Sequence, residues 1–330
     1  MKAVRVTAYG GPENIRITEE NEPVPQENEL LIRVEAAVVT PPDCAFRAGR
    51  PAAVRLFTGI RRPKRVPGDT FAGVIVKTGD RVKEWRSGMH VFGSSSTQFG
   101  AHAEYMVIRA DSACAFIPEG TSYAEAASLS YGGLTALPFI RDHAQVSPGK
   151  AVWINGAAGG VGVYAVQLAR LFGADVTASA AGRNSVFLQN LGVDNIHDYS
   201  CGPAPEGMAY DIMFDIPGTY SFSEVRPFLA KQGRYMTSDL KLNVLYRMLT
   251  SRFRTGPKAV FAATGLRKPA DVQQDLRYLA ELVREKRIRP VTDRIFGLLE
   301  AAEAHRYVET EKRRGPVILD VRGNAALTPA

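Results

Sequence analysis

Cysteine is scarce in this chain. Its 330 residues hold three, Cys44, Cys114 and Cys201, and no two of them form a Cys-x-x-Cys pair. That inventory excludes a disulfide framework and a four-thiolate metal lobe. Isolated thiols suit a reducing compartment, so a cytoplasmic protein is expected. Long apolar runs are also missing. None approaches the roughly 18 residues of a membrane span, and Met1 to Tyr9 reads as a strand rather than a leader peptide. Positive charge is present, at a formal +7, but it is dispersed. The short clusters are Arg61-Arg62-Pro63-Lys64-Arg65 and Arg247, Arg252 and Arg254. Each suits a solvated face, and no aromatic-and-basic module accompanies them, so nucleic acid is not an expected partner. An anionic small molecule accounts for part of the excess.

The most informative stretch runs from Lys150 to Gly173. Ala151 to Ile154 is an apolar run of strand length. Asn155 to Gly162 is a glycine- and alanine-rich turn. Val163, Val166, Gln167, Ala169, Arg170 and Leu171 follow at helical spacing, and Gly173 is a stop signal. Strand, small-residue turn and helix form the context of a dinucleotide fingerprint, in which the helix N-terminus meets a pyrophosphate. Ala157, Ala158, Gly159, Gly160, Val161 and Gly162 are the phosphate-cradling candidates, with alanine at the first glycine position of G-x-G-x-x-G.

Around this stretch the pattern predicts two architectures. Residues 1–122 read as β-rich: Lys2–Thr7, Ile15–Glu19, Glu29–Val38, Gly73–Thr78, His90–Phe92 and Ala103–Ile108 are short strand-like runs broken by Gly and Pro. Thr78-Gly79-Asp80 reads as a hairpin turn with Arg81-Val82 re-entering a strand. Ser122 and Glu125 have capping-box spacing and open a helix, and Leu134 to Ala144 continues in helical character apart from Pro138. Residues 123–265 alternate strand and helix: Asp175–Ser179, Asn184–Leu191, Asn195–Asp198, Tyr210–Asp215, Phe222–Ala230 stopped at Gly233, Arg234–Thr237 and Ala259–Ala262. That alternation predicts a doubly wound parallel sheet, an α/β class. In residues 266–330, Pro269 to Glu285 is an amphipathic helix, Pro290–Phe296 a strand, Leu298–Glu309 a helix and Gly315–Val321 a last strand. Ala325–Ala330 reads as disordered.

Several motifs recur in order: Gly10-Gly11-Pro12-Glu13, Pro67-Gly68-Asp69-Thr70-Phe71-Ala72-Gly73-Val74, Gly79-Asp80-Arg81-Val82, Val91-Phe92-Gly93, Leu134-Thr135-Ala136, Ala157 to Gly162, Asp215-Ile216-Pro217-Gly218 and Gly315-Pro316-Val317-Ile318-Leu319. With them the whole chain resembles the medium-chain dehydrogenase/reductase superfamily, in its zinc-free, quinone oxidoreductase-like branch. The resemblance implies a GroES-like β-rich catalytic domain, a Rossmann domain inserted after it, and a C-terminal segment that returns to the first domain. The active site would lie in the cleft between them. It also implies a homodimer through the edge strand around Lys258–Ala262, which would cover that edge.

Zinc members of the family carry a Cys early in the chain and a His-Glu pair in the glycine motif. At the matching positions stand Thr40, Asp69 and Thr70, a poor ligand set, so no metal is expected. An acid usually ends the second Rossmann strand and holds the ribose of NAD. Here that segment runs Val176 to Asn184 without one. Arg183 is placed to meet a 2′-phosphate, with Ser179 as a hydroxyl donor, and the resemblance adds Tyr199 beside the same phosphate. The expected cofactor is NADPH, with Thr135 next to the nicotinamide by resemblance and Phe261 completing the cofactor set.

For catalysis the resemblance points to Thr40, Asp43 and Arg47. Tyr131 offers a phenol as proton or hydrogen-bond donor. Asp43 equally suits a helix cap, and Tyr131 a packed ring. Relatives with a tyrosine two residues after the aspartate have Ala45 here as the counterpart. Residues 50–65 suit either a lid or a surface loop. The expected activity is hydride transfer from NADPH to a quinone or α,β-unsaturated carbonyl, a small-molecule substrate. The alternatives are an enoyl-thioester or alcohol/ketone oxidoreductase and a catalytically silent NADPH sensor.

Overall fold

Short strands punctuated by Gly and Pro dominate the first third of the chain, and they assemble around one long strand. The computed structural model describes residues 1–202, 205, 209–238, 256–261, 267–310 and 312–329. Arg247, Arg252, Arg254, Ala262 and the side chain of Phe261 lie outside the described residues. The chain divides into two units, Met1–Tyr131 with Gly265–Ala330, and Gly132–Thr264.

In the first unit β1 (Lys2–Val6) and β2 (Ile15–Glu19) form an antiparallel pair. β3 (Glu29–Val39) is the spine. It pairs with β4 (Thr70–Thr78) and β6 (Tyr105–Arg109), and β4 pairs with β5 (His90–Ser94), which pairs with β7 (Ala113–Phe116). The sequence pattern gave no sign of β7. The expected hairpin at Thr78-Gly79-Asp80 does not form. Val82 N bonds back to Gly79 O in a turn, and the antiparallel partner of β4 starts only at His90. One tight turn cannot replace a register fixed by burial of Val91 and Phe92.

Two helices in this unit have readable causes. α1 (Pro41–Ala48) starts on two prolines, which the first turn tolerates because its N–H groups have no helical partner. Thr40 caps it and Gly49, at φ 66°, ends it. α2 (Arg55–Thr58) belongs to the segment 50–65. That segment is tied down: Tyr9 Oη bonds Thr58 Oγ1 at 2.7 Å, Arg5 Nη1 donates to Lys64 O at 2.6 Å, and the Arg55 guanidinium lies over the Tyr9 ring. α3 (Tyr123–Ser128) has the expected capping box between Ser122 and Glu125. A π turn, Leu129–Gly133, follows it.

In the second unit α4 (Leu134–Pro138) leads into a further π turn, Phe139–His143, in which Ala144 N reaches Phe139 O. The widened turn follows Pro138, which brings no N–H of its own to the helix. Then come β8 (Ala151–Asn155), α5 (Gly162–Leu171), β9 (Asp175–Ala180), α6 (Ser185–Gln189), β10 (Asn195–Asp198), β11 (Tyr210–Asp215), α7 (Phe222–Val225), β12 (Leu229–Thr237) and β13 (Lys258–Phe261). All pairings are parallel, in the order β10-β9-β8-β11-β12-β13. The helix expected over Phe222–Ala230 is shorter. Leu229 and Ala230 already belong to β12, and Gly233 lies within that strand at a break in register rather than stopping a helix. A glycine inside a strand often marks such an irregularity.

The chain then returns to the first unit through α8 (Pro269–Arg284), β14 (Ile295–Gly297), α9 (Ala301–Val308) and β15 (Val317–Asp320). β15 pairs antiparallel with β3, Val317 opposite Val39 and Leu319 opposite Ala37. Val317, Leu319 and Val321 share one buried cluster with Val4, Ile15 and Ile32. The strand expected over Pro290–Phe296 is reduced to β14, because the chain before it makes a separate bridge, Asp293 N to Pro316 O. The tail expected to be disordered is docked. Ala325 is fully buried, and the amides of Ala124 and Tyr123 donate to Ala325 O and Leu327 O. These are orphan N–H groups of the first turn of α3, so the tail acts as a cap.

Candidate functional site

The order of the parallel sheet reverses beside β8, and ligands of open α/β sheets bind at the carboxyl ends of strands at such a point. The glycine turn leaves β8 at that end. Gly156, not Ala157, takes the left-handed conformation, at φ 78°. Alanine therefore stands at position 157 without backbone strain. The amides of Gly156 and Ala157 both donate to Ser179 O at 3.1 Å, which ties the turn to β9. Gly162 touches the turn so closely that a Cβ there would lie 2.2 Å from Gly156 O. No side chain caps α5, and the amides of Gly160, Val161 and Gly162 reach no carbonyl among the described residues. An anion at this helix N-terminus is met by unpaired donors and a favourable dipole. The residues present fit a dinucleotide pyrophosphate.

Beyond β9, Arg183 is exposed in a short turn, and Tyr199 is exposed just after β10. Asp198 holds the two turns side by side. Its Oδ1 accepts from Ser200 N at 2.9 Å, and its carboxylate lies against the backbone of Gly182. These amide bonds hold its carboxyl below the usual carboxylate range. No motif announces this bridge. Ser179 is wholly buried, and its Oγ accepts from Trp153 Nε1 at 2.7 Å. Thr135 lies half-buried early in α4. At the ends of β8 and β11, Asn155 Nδ2 donates to Asp215 Oδ1, and Tyr220 N and Tyr235 Oη donate to Asp215 Oδ2. Burial raises the Asp215 carboxyl, so these donors compensate a desolvated acid.

In the first unit Thr40 and Asp43 hold each other. Thr40 N and Thr40 Oγ1 donate to Asp43 Oδ2 at 2.9 and 2.5 Å, and Gly68 N donates to Asp43 Oδ1 at 3.2 Å. Both side chains are nearly fully buried. They form the capping box of α1 and pin the loop that carries Asp69. Arg47 is turned away from them in its pairing. Its Nη2 pairs with Glu309 at the end of α9, while Nε and Nη1 are buried without a partner among the described residues. Arg47 and Asp43 also line a mostly apolar cavity with Phe46, Phe99, Val66 and Pro67. Cys44 packs on His305, Sγ to Nδ1 at 3.5 Å, and burial pushes its thiol up to about 12.

Tyr131 sits in the π turn, half-buried. Burial first, then the charges of Asp43 and Asp69 against that of Arg313, push its phenol up to about 12. Asp69 is the residue that motif matching noticed only as a ligand position. Burial and the neighbouring charge of Asp43 push its carboxyl up to about 7, against weak help from Ser94 Oγ at 3.4 Å. Thus Thr40 and Asp43 are joined by hydrogen bonds, Gly68 ties the Asp69 loop to them, and the charges of Asp43, Asp69 and Arg313 act on Tyr131, while Arg47 serves an ion pair.

Residues 26–138 match the family of the alcohol dehydrogenase GroES-like domain, and residues 191–319 match the family described as zinc-binding dehydrogenase. The chain is 31% identical to the chloroplastic quinone-oxidoreductase QR1 of Triphysaria versicolor, over 92% of this chain and 93% of that one. It is 28% identical to the mitochondrial NAD(P)H oxidoreductase RTN4IP1 of Mus musculus, over 97% and 89%. The solved structure of the quinone oxidoreductase from Coxiella burnetii superposes with a TM-score of 0.87 at 28% identity, over 98% and 99%. The chain belongs to the medium-chain dehydrogenase/reductase superfamily, in its quinone oxidoreductase-like branch, and is an NAD(P)H oxidoreductase of that family.

The zinc in one family description finds no fit in these residues. Thr40 Oγ1 is spent on Asp43, Thr70 Oγ1 is buried, and Cys44 faces His305 as a neutral thiol. Among the described residues no three His, Cys, Asp or Glu side chains converge on a metal position.

Proposed function

We propose that this protein is a zinc-independent, NADPH-dependent reductase of quinones and α,β-unsaturated carbonyls. The observation that carries the reading is the open N-terminus of α5 beside a turn that offers Arg183 and Tyr199, with no acid at the end of β9. A carboxylate at the end of β9 would bind a ribose hydroxyl and repel a phosphate; the Asp198 carboxylate comes instead from the end of β10 and is taken up by the backbone amides of Ser200 and Gly182, and the Arg183 guanidinium attracts the phosphate. NADPH, when bound, supplies the hydride. The chain holds its pyrophosphate at Gly160 to Gly162 and its 2′-phosphate at Arg183 and Tyr199. Ser179 lies beneath the turn and supports it through Trp153. The substrate class follows the relatives, named quinone oxidoreductases, and a donor set that suits carbonyls needing little polarisation.

NADPH and NADH oxidation is to be followed with benzoquinones, naphthoquinones, enals, enoyl thioesters and simple ketones. The expected result is reduction of quinones or enals with kcat/KM for NADPH at least about tenfold above NADH, a gap of roughly 1.4 kcal/mol. Arg183→Ala closes that gap. Equal use of NADH, or no acceptor reduced at all, sinks the reading. A homodimer is part of the same proposal: β13 is the last strand of the described sheet and leaves an edge to be covered. Light scattering that returned a monomer mass at micromolar concentration would remove it.

A further inference from the structure

Residues 44–68 hold no aspartate or glutamate and seven basic residues, Arg47, Arg50, Arg55, Arg61, Arg62, Lys64 and Arg65. Arg47 is buried, and the other six are exposed. Among the described residues none of the six pairs with a carboxylate. Their contacts are of another kind. The Arg55 guanidinium lies over the Tyr9 ring, and Arg65 Nη1 donates to Thr97 O at 2.6 Å. Set among these cations are Leu56, 77% exposed, and Ile60, 78% exposed, the two most exposed large hydrophobic side chains among the described residues. A single exposed aliphatic group is ordinary. Two of them, four residues apart in an acid-free basic run, call for a partner that is both anionic and apolar.

The backbone holds these groups in a fixed projection. α2 carries Leu56 and stops at Gly59, at φ 129°, where a Cβ would lie 2.3 Å from Arg62 O. The chain then doubles back. Lys64 N donates to Thr58 O at 2.9 Å and closes a loop, with Ile60, Arg61 and Arg62 between its ends. The base of the loop is pinned: Tyr9 Oη bonds Thr58 Oγ1 at 2.7 Å and donates to Gly59 O, and Arg5 Nη1 donates to Lys64 O at 2.6 Å. A loop ordered before it binds loses little freedom on docking.

We propose that residues 50–65 dock this protein on an anionic lipid surface, with Leu56 and Ile60 entering the headgroup boundary and the six exposed cations meeting its negative headgroups. Aliphatic side chains in a basic setting are the composition of interfacial anchors. The stems of Arg and Lys lie along apolar material while their charged heads stay in the polar layer. Each Lys or Arg near such a surface strengthens binding roughly fivefold. Nucleic acid answers the charge but not the aliphatic groups, since Leu56 and Ile60 have no π face on which a base can stack. No helix among the described residues is long and apolar enough to cross a membrane, and this attachment needs none. Under the reductase reading, docking brings the chain to acceptors dissolved in the lipid.

The full chain is to be sedimented with vesicles of phosphatidylcholine alone and of phosphatidylcholine with roughly 30% phosphatidylserine. We expect it to bind the second kind and not the first at about 0.1 M salt, and to come off as salt rises towards about 1 M and screening shortens. Arg61→Gln with Arg62→Gln should weaken partitioning about 25-fold, two cations at roughly fivefold each. Leu56→Ser with Ile60→Ser should weaken it at least about tenfold and keep the salt dependence. Both variants change exposed side chains only, so each should keep the wild-type thermal midpoint and NADPH affinity, which separates lost docking from a lost fold. The proposal is overturned if wild type binds neither vesicle, if it binds both equally, or if either double variant partitions like wild type. It is also overturned if a single-stranded oligonucleotide binds more tightly than the vesicles at the same salt and does so equally well in the Leu56→Ser, Ile60→Ser protein, which would assign the face to nucleic acid. None of these readouts uses turnover, so a failure here is distinct from a failure of the reductase reading.

Discussion

At the scale of single residues, Gly156 carries the turn that the fingerprint describes through its neighbours. Its φ of 78° suits glycine, and a Cβ would approach Pro217 Cδ to 2.9 Å. Gly156→Ala should cost about 1–2 kcal/mol in urea unfolding and weaken NADPH binding. Gly159→Ala, whose Cβ would meet only Gly156 O at 3.2 Å, should do less. Arg47 makes a different prediction. Arg47 is buried but its partner Glu309 is 43% exposed, so Arg47→Ala removes a packed side chain and leaves the carboxylate in water; it should cost about 1–3 kcal/mol of stability in urea unfolding before it touches nucleotide affinity. Asp69 adds a pH signature to stability. Its folded carboxyl is raised above the unfolded one, so there is no penalty below pH 4 and a full penalty once pH exceeds about 7. Asp69→Asn should therefore match wild type at pH 4 and exceed it by about 4 kcal/mol at pH 8, by thermal melts.

At the scale of elements, the docked tail has a measurable role. It supplies acceptors to the first turn of α3, and α3 runs directly into the π turn of Tyr131. Deleting residues 322–330 should speed hydrogen exchange at the Tyr123 and Ala124 amides and cost about 1–2 kcal/mol. Elements with local causes were legible in the sequence. β2, β10 and β11 fall where their alternation and β-branched content put them, and the Ser122–Glu125 box is present. Elements with distant causes were not. β7 depends on β5 for its register, the tail depends on α3, and β12 hides behind a glycine that mimics a helix stop. The same division runs through the candidate site. The glycine turn is contiguous and was readable. The tie between Asp43 and the loop of Asp69 depends on Gly68 folding back onto α1, and no spacing rule announces it.

At the scale of the whole molecule, each unit carries its own tryptophan, Trp85 in the first and Trp153 in the second. Trp85→Phe and Trp153→Phe proteins thus report on the units separately, and NADPH should raise the transition followed by Trp153. Coincident shifts of both transitions would mean that the units unfold as one. The antiparallel pairing of β15 with β3 also bears on synthesis. The ribosome releases the whole of the second unit before Val317 is made, so that unit can fold while the first waits with Ile32, Val34 and Val39 uncovered. The nascent first unit is an open sheet in search of a strand, and the time taken to make residues 265–320 decides how long it stays exposed to chaperones and to other chains.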